Sequence, residues 1–218
     1  MRQRDRTETY RAALCGLQDR GLTFECTCSR SQLEDEQRYP GTCRELAKTQ
    51  ASDTATRLRA QPGFIHFSDA IQGTYRQDVA QAVGDLILKR RDQIFAYLLA
   101  VVVDDAAQGV TDIVRGADLL DNTPRQIYLQ RCLGLATPRY AHVPVLTEPG
   151  GQKLAKSRRS VRADGAAPLP QLLSVFSLLG MTPPEDLQAG HLAEAWAWAT
   201  AQWDRKTVPK RLNLHLAT

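Results

Sequence analysis

The stretch IFAYLLAVVVDDAAQGVTDIVRGAD, residues 94–118, carries the reading of the fold. It opens with a continuous apolar run, Ile94 to Val103, flanked by Arg91, Asp92, Asp104 and Asp105. The run falls well short of the roughly 20 apolar residues that a membrane span requires. Without alternation, it predicts a strand buried on both faces. Thr111 to Val114 reads as a second, β-branched piece closed by Gly116; the roles of Asp104 and Asp105 stay open, ending the first strand and orienting Arg115 being the ones considered.

Outward from this stretch, helix and strand signals alternate. On its C-terminal side Thr123 as cap and Pro124 at the first helical position open a helix through Ile127, Tyr128, Leu129, Arg131 and Cys132, with Gly134 as the stop. Val143 to Leu146 follows as a strand, then a Pro149-Gly150-Gly151 turn, then helices at Leu169 to Leu179 and Leu187 to Trp203. In the last helix Leu192, Trp196, Ala199 and Trp203 recur on one face, which predicts packing rather than a base-stacking platform. On the N-terminal side, Phe64 to Phe67 and Asp85 to Lys89 have strand character, with Arg90 to Gln93 a polar turn. Ala55 to Leu58 is expected to extend a helix, and Ser31 to Glu36 to form a short charged helix or turn. Thr7 to Arg20 is an amphipathic helix on Tyr10, Ala13, Leu14 and Leu17, with Thr7 as cap and Gly21 as stop.

A chain of 218 residues with 43% hydrophobic and 24% charged residues can bury a core. The Met1 to Arg6 segment has charge without an apolar stretch behind it, so a cytoplasmic location is expected. The net charge of +4 is compatible with a polyanionic partner, and Lys153, Lys156, Arg158, Arg159 and Arg162 crowd one glycine-flanked segment.

Two constellations carry chemistry. Cys26, Cys28 and Cys43 lie close together in a turn-rich stretch, which points to a metal rather than to a disulfide framework, against the plain alternative of three unrelated buried thiols. Zinc takes four ligands, and Tyr39 and His66 are the candidates for the fourth. Cys15 and Cys132 sit on helices and are expected to be small core residues. The second constellation is Gly150-Gly151-Gln152-Lys153-Leu154-Ala155-Lys156-Ser157: glycines let a loop approach phosphates and the two lysines offer point charges.

Together these residues resemble the carboxy-terminal part of the catalytic core of the glutamyl-type class I aminoacyl-tRNA synthetases, over nearly the whole chain. Lys153-Leu154-Ala155-Lys156-Ser157 looks like the KMSKS loop. The run Phe95 to Asp118 looks like the amino-acid-binding stretch, Thr123 to Tyr128 matches as well, and the Cys-x-Cys, Tyr, Cys arrangement resembles the family's zinc insertion. The resemblance implies an α/β, Rossmann-type class I core up to about residue 160, with a zinc-binding insertion at about 22–45 and a helical tail at 161–218. It leaves no room for a separate anticodon-binding domain.

The implied activity is that of the small members of the family, ATP-dependent activation of glutamate and its transfer to queuosine at the wobble position of tRNA(Asp). By the same resemblance Tyr97 and Arg115 bind glutamate, Lys156 stabilises the phosphates with Lys153 and Mg2+ nearby, and Cys26, Cys28, Tyr39 and Cys43 hold one Zn2+. A monomer without a membrane partner is implied. Neither a His-x-Gly-His element nor the arginine strand that precedes it in the family is found, so the amino-terminal portion of the nucleotide fold is expected to be missing and the chain alone inactive in glutamate activation. Rival readings are a piece of a glutamyl-tRNA synthetase and a non-catalytic tRNA-binding remnant.

Overall fold

The structure, a computed structural model, describes residues 2–29, 32, 38–46, 53–147 and 167–215. It is α/β, as expected, with six α-helices and nine strands among the described residues. Two compact units divide the chain: the first comprises 1–67, 74–113 and 121–139, the second 68–73, 114–120 and 140–218. Strands β3 (Phe64–Asp69), β4 (Gly73–Asp78), β6 (Asp112–Gly116) and β7 (Arg139–Val143) form one sheet in the order β4-β3-β7-β6. Among the described residues no helix is long and apolar enough to cross a membrane.

In the first unit, α1 (Thr7–Asp19) buries Tyr10, Leu14 and Leu17, the stripe its periodicity predicts, and ends before Gly21, whose φ of 68° is left-handed. Thr7 is the first helical residue rather than the cap, which is Arg6. Cys15 is exposed, not core, because it lies one step round the helix from the buried Leu14. A three-stranded antiparallel sheet follows, β1 (Thr23–Cys26), β2 (Ala55–Leu58) and β5 (Leu86–Lys89), in the order β1-β2-β5. The expected helix at Ala55 to Leu58 is therefore a strand. Its four residues are all buried, and the polar ones have partners: Thr56 donates to Glu25 at 2.9 Å and Arg57 to the Asp85 carbonyl at 2.9 Å. Such long-range pairing, not local propensity, decides this segment. The short helix α2 (Val79–Ala82), capped by Asp78, and the strand β4 have no counterpart in the sequence reading.

The larger correction concerns the apolar run. It is no strand: Tyr97–Ala107 is a helix, α3, with Ala96 as its extended N-cap. An unbroken apolar run cannot separate a buried strand from a buried helix by periodicity alone. Its burial follows the helical period, with Leu99, Ala100, Val102, Val103 and Asp104 inside and Tyr97 60% exposed. Nor does Asp104 end a strand and orient Arg115. Its buried carboxylate accepts hydrogen bonds from Arg6 Nε at 2.5 Å and from the Tyr10 hydroxyl at 2.6 Å, which ties α3 to α1. Burial, and then Asp104 as acceptor, push the Tyr10 hydroxyl up to about 12. Helix α4 (Thr123–Leu133) starts one residue after its cap Asn122, carries Pro124 in its first turn and stops at the left-handed Gly134.

In the second unit, Pro144 splits the expected strand at Val143 to Leu146 into the end of β7 and β8 (Val145–Thr147), and β8 pairs in parallel with β9 (Asn213–His215). Helices α5 (Pro168–Leu178) and α6 (Leu192–Gln202) pack around Leu173, Phe176, Met181, Ala195 and Ala199. The last helix begins at Leu192 rather than Leu187, because Glu185–Ala189 forms a 3-10 turn. Its inward face is the small pair Ala195 and Ala199, four apart, so the bulkier rings lie at the rim. Trp196 is 55% and Trp203 47% exposed, against the expectation of a packed tryptophan cluster, although Trp196 meets Phe176 edge-on at 5.5 Å.

Asp104→Ala, which leaves the Arg6 guanidinium and the Tyr10 hydroxyl without their acceptor, is expected to cost about 3–5 kcal/mol, and Tyr10→Phe only about 1 kcal/mol. Urea unfolding with an unchanged m-value measures both.

Candidate metal centre and amino-acid site

The metal candidate is assembled in the first unit by β1, the chain just after it and the turn around Gly41. Cys26 ends β1, Cys28 follows two residues later, and Tyr39 and Cys43 flank Gly41, whose φ of 90° turns the chain back. Tyr39 is located by its backbone: its N–H donates to the Val83 carbonyl at 2.9 Å, and the chain crosses so close that a Cβ at Gly84 would overlap the Tyr39 carbonyl oxygen. With a φ of 78° as well, position 84 admits only glycine without strain.

The three Sγ atoms lie within 4.8 Å of one another. Cys28 and Cys43 are 3.5 Å apart at sulfur, and Cys26 Sγ is 3.5 Å from the Tyr39 hydroxyl. Zn–S and Zn–O bonds of about 2.3 and 2.0 Å give tetrahedral edges of about 3.8 Å for S···S and about 3.5 Å for S···O. Those two contacts are close to tetrahedral edges, and the three sulfurs, all within 4.8 Å of one another, are near enough to share one ion. The competing fourth ligand, His66, is not in the cluster; it is exposed on β3 beside Phe64. Burial pushes the Cys28 thiol up to about 11. Burial acts the same way on Cys43, but the Thr27 backbone and hydroxyl, followed by Cys28 and Tyr39, outweigh it and bring the thiol down to about 6. The Arg57 guanidinium lies over the Tyr39 ring, 3.8 Å from its centroid.

Tyr97, at the start of α3, lines a cleft of about 350 Å³ in the same unit together with Tyr39, Arg57, Asp85, Asn122, Arg125 and Gln126. Buried nitrogens (Nε) of Arg57 and Arg125 have no hydrogen-bond partner among the described residues. The cleft thus offers two phenols, two guanidinium groups and amides to a polar ligand.

Arg115 lies on β6 in the second unit. Its Nε donates to His142 Nε2 at 3.0 Å and its Nη2 to the Leu119 carbonyl at 3.4 Å, and the guanidinium stands 5.5 Å from the centroid of the Tyr140 ring. His142 and Tyr140 share one face of β7. Behind them His142 Nδ1 bonds Asp69 Oδ2 at 2.6 Å, both side chains being fully buried. Oδ1 of Asp69 accepts three backbone N–H groups, those of Ile71, Gln72 and His142. Asp69 and His142 were missed by sequence reasoning, for nothing local links two residues so far apart in the chain. Asp112 receives a two-pronged bond from Arg139 at 2.7 and 2.8 Å. The lysine loop, Lys153, Leu154, Ala155, Lys156 and Ser157, lies outside the described residues.

The family model for tRNA synthetases class I (E and Q), catalytic domain, matches residues 1–206, so the chain carries a class I aminoacyl-tRNA synthetase catalytic domain. The chain is 50% identical over 217 residues to the glutamyl-Q tRNA(Asp) synthetase of Pseudomonas fluorescens, covering 98% of this chain and 72% of that protein. It is 49% identical over 217 residues to the one from Ectopseudomonas mendocina, covering 98% and 73%. The chain belongs to the glutamyl-Q tRNA(Asp) synthetase family. Among solved structures a glutamate tRNA ligase from Elizabethkingia meningosepticum, in complex with its amino acid, superposes with a TM-score of 0.73 at 17% identity, covering 99% of this chain. The chain spans about half, 51%, of that ligase's length.

Burial alone would raise the Asp69 carboxyl, but the bond to His142 and the three backbone N–H groups hold it below the ordinary carboxylate range. A depressed folded value contributes stability that is full above the unfolded value of about 3.9 and is lost as pH falls through the lower folded value. The stability gap between wild type and Asp69→Asn is therefore expected to be widest near neutrality and to narrow below about pH 4, as read from urea unfolding at each pH.

Proposed function

We propose that the protein activates glutamate with ATP to glutamyl-adenylate and transfers the glutamyl group to queuosine at the wobble position of tRNA(Asp). The observation that carries this reading is the fixed guanidinium of Arg115: a planar, two-pronged donor pinned at its Nε edge is suited to hold a carboxylate in one orientation. The identity of 50% to a glutamyl-Q tRNA(Asp) synthetase, against 17% to the solved glutamate tRNA ligase, favours queuosine-bearing tRNA(Asp) as acceptor.

In this proposal Arg115 and Tyr97 select and orient glutamate, and neither moves a proton. The substrate carboxylate attacks the α-phosphorus, the bond to pyrophosphate breaks, and Lys156, together with Lys153, offsets the charge that develops on the phosphates, a load that Mg2+ would share. Cys26, Cys28, Tyr39 and Cys43 hold one structural zinc, which would order the insertion and take no part in the chemistry.

Three outcomes are expected. In a full-length version of the enzyme, Arg115→Lys raises the KM for glutamate more than that for ATP, since lysine keeps the charge but loses the fork. Lys156→Ala lowers glutamate-dependent pyrophosphate exchange by about 10²-fold or more. Equal effects of the two changes confined to glutamate KM would contradict the assigned roles. Elemental analysis of protein purified without added metal finds about one zinc per chain, and chelation lowers the thermal midpoint, since structural zinc contributes on the order of 10 kcal/mol of apparent folding free energy. An unchanged midpoint after complete chelation would refute the zinc assignment.

A further inference from the structure

We propose that Asp69 and His142 are positioning residues for Arg115: one imidazole tautomer, set by the Asp69 carboxylate, fixes the orientation in which the guanidinium meets the carboxylate of its amino-acid substrate. The inference rests on the reading of Arg115 as a glutamate ligand.

The argument is one of donors and acceptors. Asp69 Oδ1 already accepts the N–H groups of Ile71, Gln72 and His142, at 3.0, 2.8 and 3.1 Å. Three donors converging on one oxygen require an ionised, accepting carboxylate. Its other oxygen, Oδ2, faces His142 Nδ1 at 2.6 Å, so Nδ1 must carry the proton. A neutral imidazole has one N–H, which leaves a lone pair on Nε2, and the Arg115 Nε–H points at that nitrogen at 3.0 Å. The opposite tautomer would set N–H against N–H. A doubly protonated ring would do the same and place its charge beside the guanidinium. Only the Nδ1–H form makes both bonds.

The guanidinium is rigid and planar, so bonds from Nε to His142 and from Nη2 to the Leu119 carbonyl define its plane. The relay also has no exposed member that could relax into water: the side chains of Asp69 and His142 are both fully buried. As a structural filler such a pair is a poor choice, because apolar residues of similar volume serve as well or better in a core. The backbone N–H groups account for Asp69 Oδ1, and the histidine placed on Oδ2 is explained by what stands at the far end of the chain of bonds.

The test is Asp69→Asn. Asn Oδ1 keeps the three backbone bonds, while the amide nitrogen replaces Oδ2 by a donor and drives His142 to the Nε2–H tautomer, against Arg115. Long-range 1H–15N correlation spectra of the histidine ring are expected to show protonated Nδ1 and bare Nε2 in the wild type, and the reverse in the variant. Glutamate KM in pyrophosphate exchange, and glutamate affinity by calorimetry, are expected to weaken by about 10-fold or more, the range seen when a ligand's outer partner is lost. ATP KM should stay within about two-fold, since uniform damage would move both. His142→Gln, which supplies one donor and one acceptor, is expected to retain more glutamate affinity than His142→Leu, and this pair decides the matter should Asp69→Asn fail to fold.

A wild-type ring protonated at Nε2 overturns the proposal. So does a switched tautomer with unchanged glutamate KM while Arg115→Lys still raises it, an outcome that leaves Arg115 as a ligand and removes only the relay. If neither Asp69→Asn nor Arg115→Lys affects glutamate, both the relay and the reading beneath it are wrong. Equal affinities of the Gln and Leu variants would likewise reduce His142 to packing.

Discussion

The second unit depends on the buried carboxylate of Asp69. One oxygen closes the turn after β3 by taking the Ile71 and Gln72 N–H groups and also receives the His142 N–H, so a single atom ties this turn to the neighbouring strand β7. The parallel pairing of Asp69 with Tyr140 follows the same line. An ionised group without exposure is tolerable only when each acceptor position is filled. Here backbone donors fill one oxygen and an imidazole the other, and satisfying the charge is what aligns His142 and, through it, Arg115.

A similar economy operates in the first unit. Arg6, the cap of α1, and Tyr10 within it both serve Asp104 on α3, so the acid that interrupts an apolar run is the point at which two helices are fastened. With α3 anchored at that end, its first residue, Tyr97, projects into the cleft beside Arg57 and Arg125 instead of joining the core. The metal candidate extends the logic to a segment with little hydrophobic core of its own. Cys26, Tyr39 and Cys43 form a small separate cluster, joined by Phe24 and Cys28, too few residues to hold a turn-rich insertion by burial alone. Four converging soft and phenolic donors supply a different kind of core, one that a single ion can close.

Much of the site was legible in the sequence because its chemistry is local. The spacing of Cys26, Cys28 and Cys43 within one short insertion marked a metal candidate, with Tyr39 and His66 open as the fourth donor, and the structure brings the three Sγ atoms within 4.8 Å of one another and Cys26 Sγ to 3.5 Å from the Tyr39 hydroxyl. Helix α4 announced itself through Pro124 and Gly134, and α1 through Tyr10, Leu14 and Leu17, since caps, stops and a helical stripe are written in neighbouring residues. Tyr97 and Arg115 were singled out by the family resemblance of their run and not by local chemistry, since a tyrosine inside an apolar run reads as core, whereas the structure leaves Tyr97 60% exposed.

What only the tertiary structure decided concerns segments whose local signals conflict with, or say nothing of, their surroundings. Val101, Val102 and Val103 favour a strand, yet α3 is a helix because its buried stripe and the Asp104 carboxylate find their partners on α1 at helical spacing. Ala55-Thr56-Arg57-Leu58 carries no strand pattern, and becomes the middle strand of a sheet because Glu25 and the Asp85 carbonyl accept from its polar side chains across the chain. Asp69 and His142 look like an unremarked acid and an unremarked histidine in the sequence, and become a pair only when β3 and β7 lie side by side. Caps, turns and metal spacings involve near neighbours and can be read from residues alone, whereas a buried charge is defined by its distant partner, and its role exists only once the fold has brought the two together.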